Sequence, residues 1–262
     1  MINSNQRKRH YRPKQDLRRL MIDEGIKLMV DDGMHGGENV TIARVIDRIV
    51  ASGNDPVTKG SVLGKDRLWP SQRAFQLEVQ ETFASQIGEL GVTRGGTSEA
   101  AAAVLEGADL TTNGGRADAV RELCRLAGRA SFEGILASRE WRIWLAIWAT
   151  AMTTDDELEV GAAIREGEMN SITLVMESLY IPFAQVFKMR IKPEYGNDGM
   201  LMFTLCTAAL TDGLAIRMRY SSIPLDGIER LTAADGSAQP WHLFAIGFEG
   251  LVQQFFEPTP LD

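Results

Sequence analysis

The sequence predicts an all-α protein, and three observations carry that expectation. Apolar residues recur at spacings of three and four along most of the 262 residues. Val, Ile and Thr do not gather into alternating runs, and no Asn-Gly pair separates two such runs. Apolar residues make up 44% and charged residues 24%, the balance of a globular chain with a sizeable core rather than of a disordered one.

The elements follow in order. Leu17, Leu20, Met21, Ile26, Leu28, Met29 and Val30 mark a helix over 16–32, ended by Gly33. The run MHGGEN reads as a loop. Thr41 is an N-cap for a helix through Ile42, Val45, Ile46 and Ile49 to Ser52, and Gly53-Asn54-Asp55-Pro56 is a turn cluster. A short polar segment, VTKGSVL, precedes a helix that runs from Ser71 through Phe75, Val79, Phe83 and Ile87. Residues 91–98 (GVTRGGTS) read as a linker, 99–105 as an Ala-rich helix and 110–115 as a break. Helices fit 117–128 and 139–152. A long one starts at Asp155, with acidic residues matching the helix dipole, and reaches about Lys192 with Pro182 as an internal kink or break. Residues 193–199 read as a turn, 200–220 as a strongly apolar helix, 221–240 as a loop, 241–256 as a last apolar helix and EPTPLD as a tail. No apolar run is expected to serve as a membrane span of ~18 residues.

Charge separates the chain into two regions. Residues 1–75 hold 14 Lys/Arg against 9 Asp/Glu, while residues 76–262 hold 14 against 26, within a total of −7. The basic excess lies in Arg7, Lys8, Arg9, Arg12, Lys14, Arg18 and Arg19, opposed only by Asp16. A basic arm on an acidic body suits contact with a polyanion at one end; a solvated terminus could carry the same charge with no partner. The arm MINSNQRKRHYRPK has no apolar stretch behind it, so no secretory signal is expected. Cys124 and Cys206 lie far apart and form no CxxC, which suits a reducing, cytoplasmic setting. The resulting layout is an arm over 1–14, a small helical domain over 15–75 and a larger one over 76–262.

The short segment after Pro56 is the informative one. A helix of a few polar residues cannot sustain itself by burial. It makes sense as the second helix of a helix-turn-helix, with Val57 and Val62 facing a small core and Thr58, Lys59 and Ser61 facing out, residue types that bond phosphates and base edges.

At these residues the chain resembles the tetracycline-repressor (TetR) family of regulators. Val57-Thr58-Lys59-Gly60-Ser61-Val62, then Trp69-Pro70-Ser71 and Phe75, are similar to the family's recognition segment and the opening of its fourth helix. Val30-Asp31-Asp32-Gly33 and Thr41-x-x-x-Val45 resemble its first two helices, and Ala208 to Arg217 (AALTDGLAIR) resembles a stretch of its C-terminal domain. The resemblance covers about 14–78 and 155–256. The departures are Leu63 in place of a tyrosine, about three residues added around Gly64-Lys65-Asp66, Gln72 in place of a lysine, and a longer turn containing Pro56. The resemblance implies a repressor that binds a pseudo-palindromic double-stranded DNA operator as a homodimer and is released by a small ligand. The implied DNA contacts are Arg7, Arg9, Arg12, Thr41, Arg44, Thr58, Lys59, Ser61 and Trp69, with Lys65, Arg67 and Arg73 taking up phosphate contacts displaced by the insertion.

Two stripes in the larger part of the chain have helical spacing. Trp141, Trp144 and Trp148 form one; Met169, Thr173, Met176, Tyr180, Phe183 and Phe187 form the other. Such stripes ordinarily fill cores. The family resemblance adds the reading that they enclose an apolar ligand pocket, with Tyr180, Thr173 and Asn170 as polar contacts. Glu177 is either a ligand-orienting acid or a solvated residue. The last two apolar helices carry small residues, and Leu210, Gly213, Leu214, Arg217, Phe244, Gly247, Phe248 and Leu251 are expected to pair across a two-fold axis.

Enzyme readings have little support. His10, His35 and His242 lack metal-ligand spacing, and neither Gly-x-Ser-x-Gly, a Walker loop nor a dinucleotide fingerprint is present. Asp155, Asp156 and Glu159 fit the form of a magnesium motif used by all-α terpene cyclases, but the second such motif is missing and a helix dipole explains acids at a helix start. No cofactor, metal or membrane partner is expected. A protein-interaction module without an inducer is the other alternative, and it leaves the short polar helix unexplained.

Overall fold

The computed structural model describes residues 13–32, 40–53, 57–92, 97–152, 159–220, 226–232 and 237–259. The fold is all-α, with two small antiparallel ribbons. The chain forms two compact units. Unit 1 comprises Met1–Ile87 and Arg139–Glu168; unit 2 comprises Gly88–Ser138 and Met169–Asp262. The first unit therefore extends past the expected boundary at residue 75 and takes in a second, distant segment.

In unit 1, α1 (Lys14–Asp32), α2 (Ile42–Ala51), the single turn α3 (Lys59–Val62) and the first part of α4 (Gln72–Val92) surround one core with α8 (Arg139–Met152) and part of α9 (Glu159–Val175). Met21, Ile42, Val45, Ile49, Val62, Trp69, Phe75 and Phe83 are its most deeply buried members. Two helix starts are capped by side chains, the first of them by the expected Thr41. Thr41 Oγ1 accepts from Arg44 N (3.3 Å), and Ser71 Oγ accepts from Ala74 N (3.1 Å). Glycine is required where helices touch backbone to backbone: a Cβ on Gly167 would lie 1.9 Å from Ala84 O. On Gly25 it would lie 2.8 Å from Val79 Cγ2.

Unit 2 contains α5 (Thr97–Gly107), α6 (Asn113–Leu123), α7 (Arg129–Ala137), α10 (Ile181–Val186), α11 (Gly199–Tyr220) and α12 (Leu243–Phe255). Its core gathers Cys124, Tyr180, Phe187, Phe203, Val252, Phe255 and Phe256. Strand β1 (Met189–Ile191) pairs with β4 (Phe256–Pro258), and β2 (Ile228–Leu231) pairs with β3 (Ala238–Trp241).

Several expectations are corrected here. The helix expected over 117–128 runs from Asn113 to Ala137, through a π-helical turn at Cys124–Gly128 that joins α6 to α7. Arg116, Val120, Cys124, Gly128 and Phe132 are all buried, in steps of four. Four-residue steps drift around a 3.6-residue helix, and a wider π turn absorbs that drift. Gly128 is thus a packing position against Phe244 and Phe248, not a terminus. The helix expected to reach Lys192 shows the same device at Met176–Tyr180, with Ile172, Tyr180 and Ala184 buried. It ends at Val186 and gives way to β1. Pro182 is the second residue of α10, directly after the π turn, and the helix continues past it to Val186.

The loop expected over 221–240 contains the β2–β3 hairpin, and the expected tail contributes β4. Residues Pro193–Arg219 include an 18-residue window long and apolar enough to cross a membrane by length and composition. That corrects the expectation that no such run exists, although a third of the window is buried in the unit. The core helix of a globular domain passes the same test. Gly33, the MHGGEN loop, Asn54-Asp55-Pro56, residues 93–96 of the expected linker and the acidic start at Asp155 and Asp156 lie outside the described residues, as does the side chain of Glu159, while residues 91–92 and 97–98 of that linker are helical.

Candidate nucleic-acid interface

The candidate interface is built around α3. Thr58 precedes it in extended conformation, and Ser61 N and Oγ both donate to Thr58 O, at 3.0 and 2.6 Å. Val62 alone of its four residues is buried, so Thr58, Lys59 and Ser61 are presented outward. A helix this short is held by its neighbours. Downstream, Trp69 N donates to Val62 O (3.0 Å) and Gly64 N donates to Trp69 O (2.9 Å), so the inserted loop folds back on the end of α3. Gly64 takes φ +144°, a conformation that glycine adopts without strain.

A second clasp fixes α2. Gln72 Oε1 accepts from Ile42 N and its Nε2 donates to Val40 O, both at 3.0 Å. One side-chain amide at the start of α4 thereby satisfies two backbone groups at the entry to α2. Ionic contacts tie α1 to α2. Glu24, itself buried, accepts from Lys27 (2.6 Å) and Arg48 (3.1 Å), and Arg48 also pairs with Asp31 (2.6 Å).

The proposed contact residues divide accordingly. Lys59, Lys65, Arg67 and Arg73 are exposed and make no ion pair among the described residues. Thr58 and Ser61 are exposed beside them. Arg44 is tied to Asp32 at 2.6 Å, and Thr41 is occupied as a cap. Trp69 is a correction. It is 1% exposed, packs edge-on against Phe75 at 4.8 Å, and donates its indole N–H to Glu78 Oε2, so it supports the segment from beneath. Arg7, Arg9 and Arg12 lie outside the described residues. Arg18 pairs with both oxygens of Glu78 at 2.6 Å, and its guanidinium lies 5.8 Å from the Trp69 ring centre.

The two aromatic stripes belong to different units. In unit 1, Trp141 is buried, Trp144 packs on the core and Trp148 is 39% exposed. In unit 2, Met169 is 50% exposed, Thr173, Asn170 and Glu177 are exposed, and Met176 is half-buried. Glu177 is therefore a solvated residue. The π turn rotates the stripe, so Tyr180, Phe183 and Phe187 belong to the core, where Tyr180 meets Phe203 at 4.8 Å. Burial raises the Tyr180 phenol above its ordinary range, and does the same to the Cys124 thiol.

On the helices expected to pair, Phe244 is corrected to a core residue. It is buried and stacked on Phe132 at 4.9 Å and on Phe248 at 6.0 Å. Phe248 and Leu251 also pack on the core, and Leu210 fills the space over Gly247. Leu214 is half-buried, while Gly213 and Arg217 are exposed. The face of α11 that does project is apolar: Met202, Leu205 and Ile216 are 44%, 42% and 44% exposed, and Ala209 and Gly213 lie between them. Those three residues escaped the sequence reading, although their spacing with Ala209 and Gly213 traces one helical face.

No protein-family model, no curated protein and no solved structure matches the chain.

Proposed function

We propose that this protein is a DNA-binding transcription regulator of the tetracycline-repressor type, acting as a repressor. The observation that carries this reading is the exposed polar turn Lys59–Val62, flanked by Lys65, Arg67 and Arg73, four cations without an acidic partner among the described residues. A helix of four residues held by backbone contacts at both ends has its outer face free to enter a major groove. The clasps of Gln72 and Glu24 fix α2 and α1 behind it, which is the rigid support that base reading needs.

A second copy of the chain is the natural cover for the apolar face of α11. Small residues at Ala209 and Gly213 permit close helix approach there. Two copies related by a two-fold axis would present two reading turns to successive half-sites of a pseudo-palindromic operator. Release by a small apolar ligand belongs to the same reading.

The test is selection of bound duplexes from a random double-stranded DNA pool with the full chain, followed by affinity measurement on the enriched sequence. Enrichment of an inverted repeat, bound at least about a thousandfold more tightly than random duplex, is the expected result. No enrichment over the starting pool would overturn the proposal.

A further inference from the structure

Arg116 is 4% exposed, in the first turn of α6. Its Nη2 donates to Asn113 Oδ1, while its Nη1 is buried with no hydrogen-bond partner. Arg116 forms no ion pair among the described residues. A guanidinium cannot shed its proton to escape burial, and an uncompensated buried charge is strongly unfavourable. Buried donors are almost always satisfied. The orphaned Nη1 therefore marks a place where an acceptor is to be supplied.

Arg116 also lines a pocket of about 260 Å³ within unit 2. Arg116, Val120 and Arg121 line it from one face of α6, while Phe187, Met189 and Phe256 close it with apolar surface. Glu249 also reaches the wall, but it is already neutralised by Arg230 at 2.5 Å and Arg121 at 3.4 Å. The wall thus holds a guanidinium with no acidic partner among the described residues, beside apolar surface. A phosphate dianion, compact and strongly hydrated, would gain nothing from that surface. A carboxylate matches the guanidinium fork, and its apolar body matches the rest.

We propose that this pocket binds a small monocarboxylate with a compact apolar body, such as a short fatty acid or an aryl carboxylate, with Arg116 as its anchor. The volume lies below the ~300 Å³ at which drug-sized sites begin, which sets the ligand's size. The site shares Phe187 with the methionine stripe and takes in none of the three tryptophans, and its occupancy does not depend on whether the chain binds DNA.

The test is titration calorimetry on the full chain, with benzoate and hexanoate compared with benzamide and hexanol at matched ionic strength, and inorganic phosphate as a further arm. The carboxylates should bind at one site, at least about tenfold more tightly than their neutral counterparts. Arg116→Gln should erase that preference. Should this variant fail to fold, Ala117→Trp decides the matter, because Ala117 is exposed at the pocket and a large ring there fills it while Arg116 stays. Ala117→Trp should lose carboxylate binding. Equal binding of benzoate and benzamide, unchanged benzoate binding in either variant, or phosphate binding as tightly as benzoate would overturn the proposal.

Discussion

Trp69 donates its indole N–H to Glu78 Oε2 at 2.6 Å, nine residues further along the chain, and Arg18 grips both oxygens of the same carboxylate. The arrangement joins α1, the inserted loop and α4 at one buried ring. It also explains why an aromatic at this position is part of the support beneath α3. Trp69→Phe keeps most of the packing and removes the bond to Glu78, so it should lower unfolding free energy by about 1–2 kcal/mol. Trp69→Ala leaves a cavity as well and should cost about 3–5 kcal/mol. Denaturant unfolding followed by circular dichroism measures both. A Trp69→Phe loss equal to that of Trp69→Ala would contradict the separation of packing from hydrogen bonding.

Lys59, Lys65, Arg67 and Arg73 should carry the salt-dependent part of operator affinity. Each phosphate contact removed should reduce the slope of log affinity against log salt by about 0.9. Lys59→Ala should in addition relax base preference at one position of each half-site. Arg44→Ala, whose guanidinium is engaged by Asp32, should change the slope far less. Fluorescence anisotropy across a salt series gives all the slopes. An Arg44 effect as large as that of Arg73 would mean that the Asp32 pair opens on binding.

The positions of most helices were legible in the sequence because they depend on local signals. Thr41 caps the helix it was expected to cap, a helix begins at Ser71 as expected, and α8 spans the residues predicted from its apolar period. The misses have non-local causes. Gly128 looks like a terminus, yet it is retained in a continuous helix because Phe244 and Phe248 pack against it. The hairpin Ile228–Trp241 has no alternating apolar pattern. Arg230 lies over the Trp241 ring at 4.3 Å and reaches buried Glu249 from there. In the candidate interface, the outward Thr58, Lys59 and Ser61 could be read from the polarity of a short helix. The inward turn of Trp69 could not, because its partner Glu78 is brought to it by the fold. The pocket at Arg116 was hidden for the same reason, since an arginine near a helix start ordinarily signals an exposed residue.

His242 gives unit 2 a pH dependence. It is buried, its Nδ1 accepts from Phe244 N at 3.1 Å as the cap of α12, and burial holds its pKa below the usual 6.5. Asp226 and Glu133 oppose that shift and Arg129 reinforces it. Because the unfolded chain takes up the proton first, this contribution to stability is present above pH 6.5 and lost as pH falls from there towards the lower folded pKa. His242→Asn keeps a capping side chain without a titrating group. Thermal unfolding between pH 7 and pH 5 should therefore fall less steeply in His242→Asn than in the wild type. Identical slopes would show that other groups set the acid sensitivity.

The exposed face of α11 makes the oligomeric state the most direct check on the regulator reading. Met202, Leu205 and Ile216 project from one side of a helix whose other side is anchored by buried Phe203, Thr204, Thr207, Thr211 and Ala215. The hydroxyls of the three threonines donate to carbonyls one turn back, so the inner face satisfies its own polar groups. The outer face can be altered without disturbing that core. Leu205→Arg places a charge in the centre of the stripe, where a paired helix would have to bury it at a cost of several kcal/mol. Light scattering at micromolar concentration should report a dimer for the wild type and a monomer for Leu205→Arg. Both should show the same circular dichroism spectrum. Leu214→Arg is the contrasting variant: Leu214 is half-buried, so this change should weaken folding as well as pairing. The same helix passes a length-and-composition test for membrane crossing, so flotation with phospholipid vesicles supplies the competing outcome. A wild type that is monomeric in buffer and floats with vesicles would assign the stripe to lipid and remove the two-fold pairing on which the operator model depends.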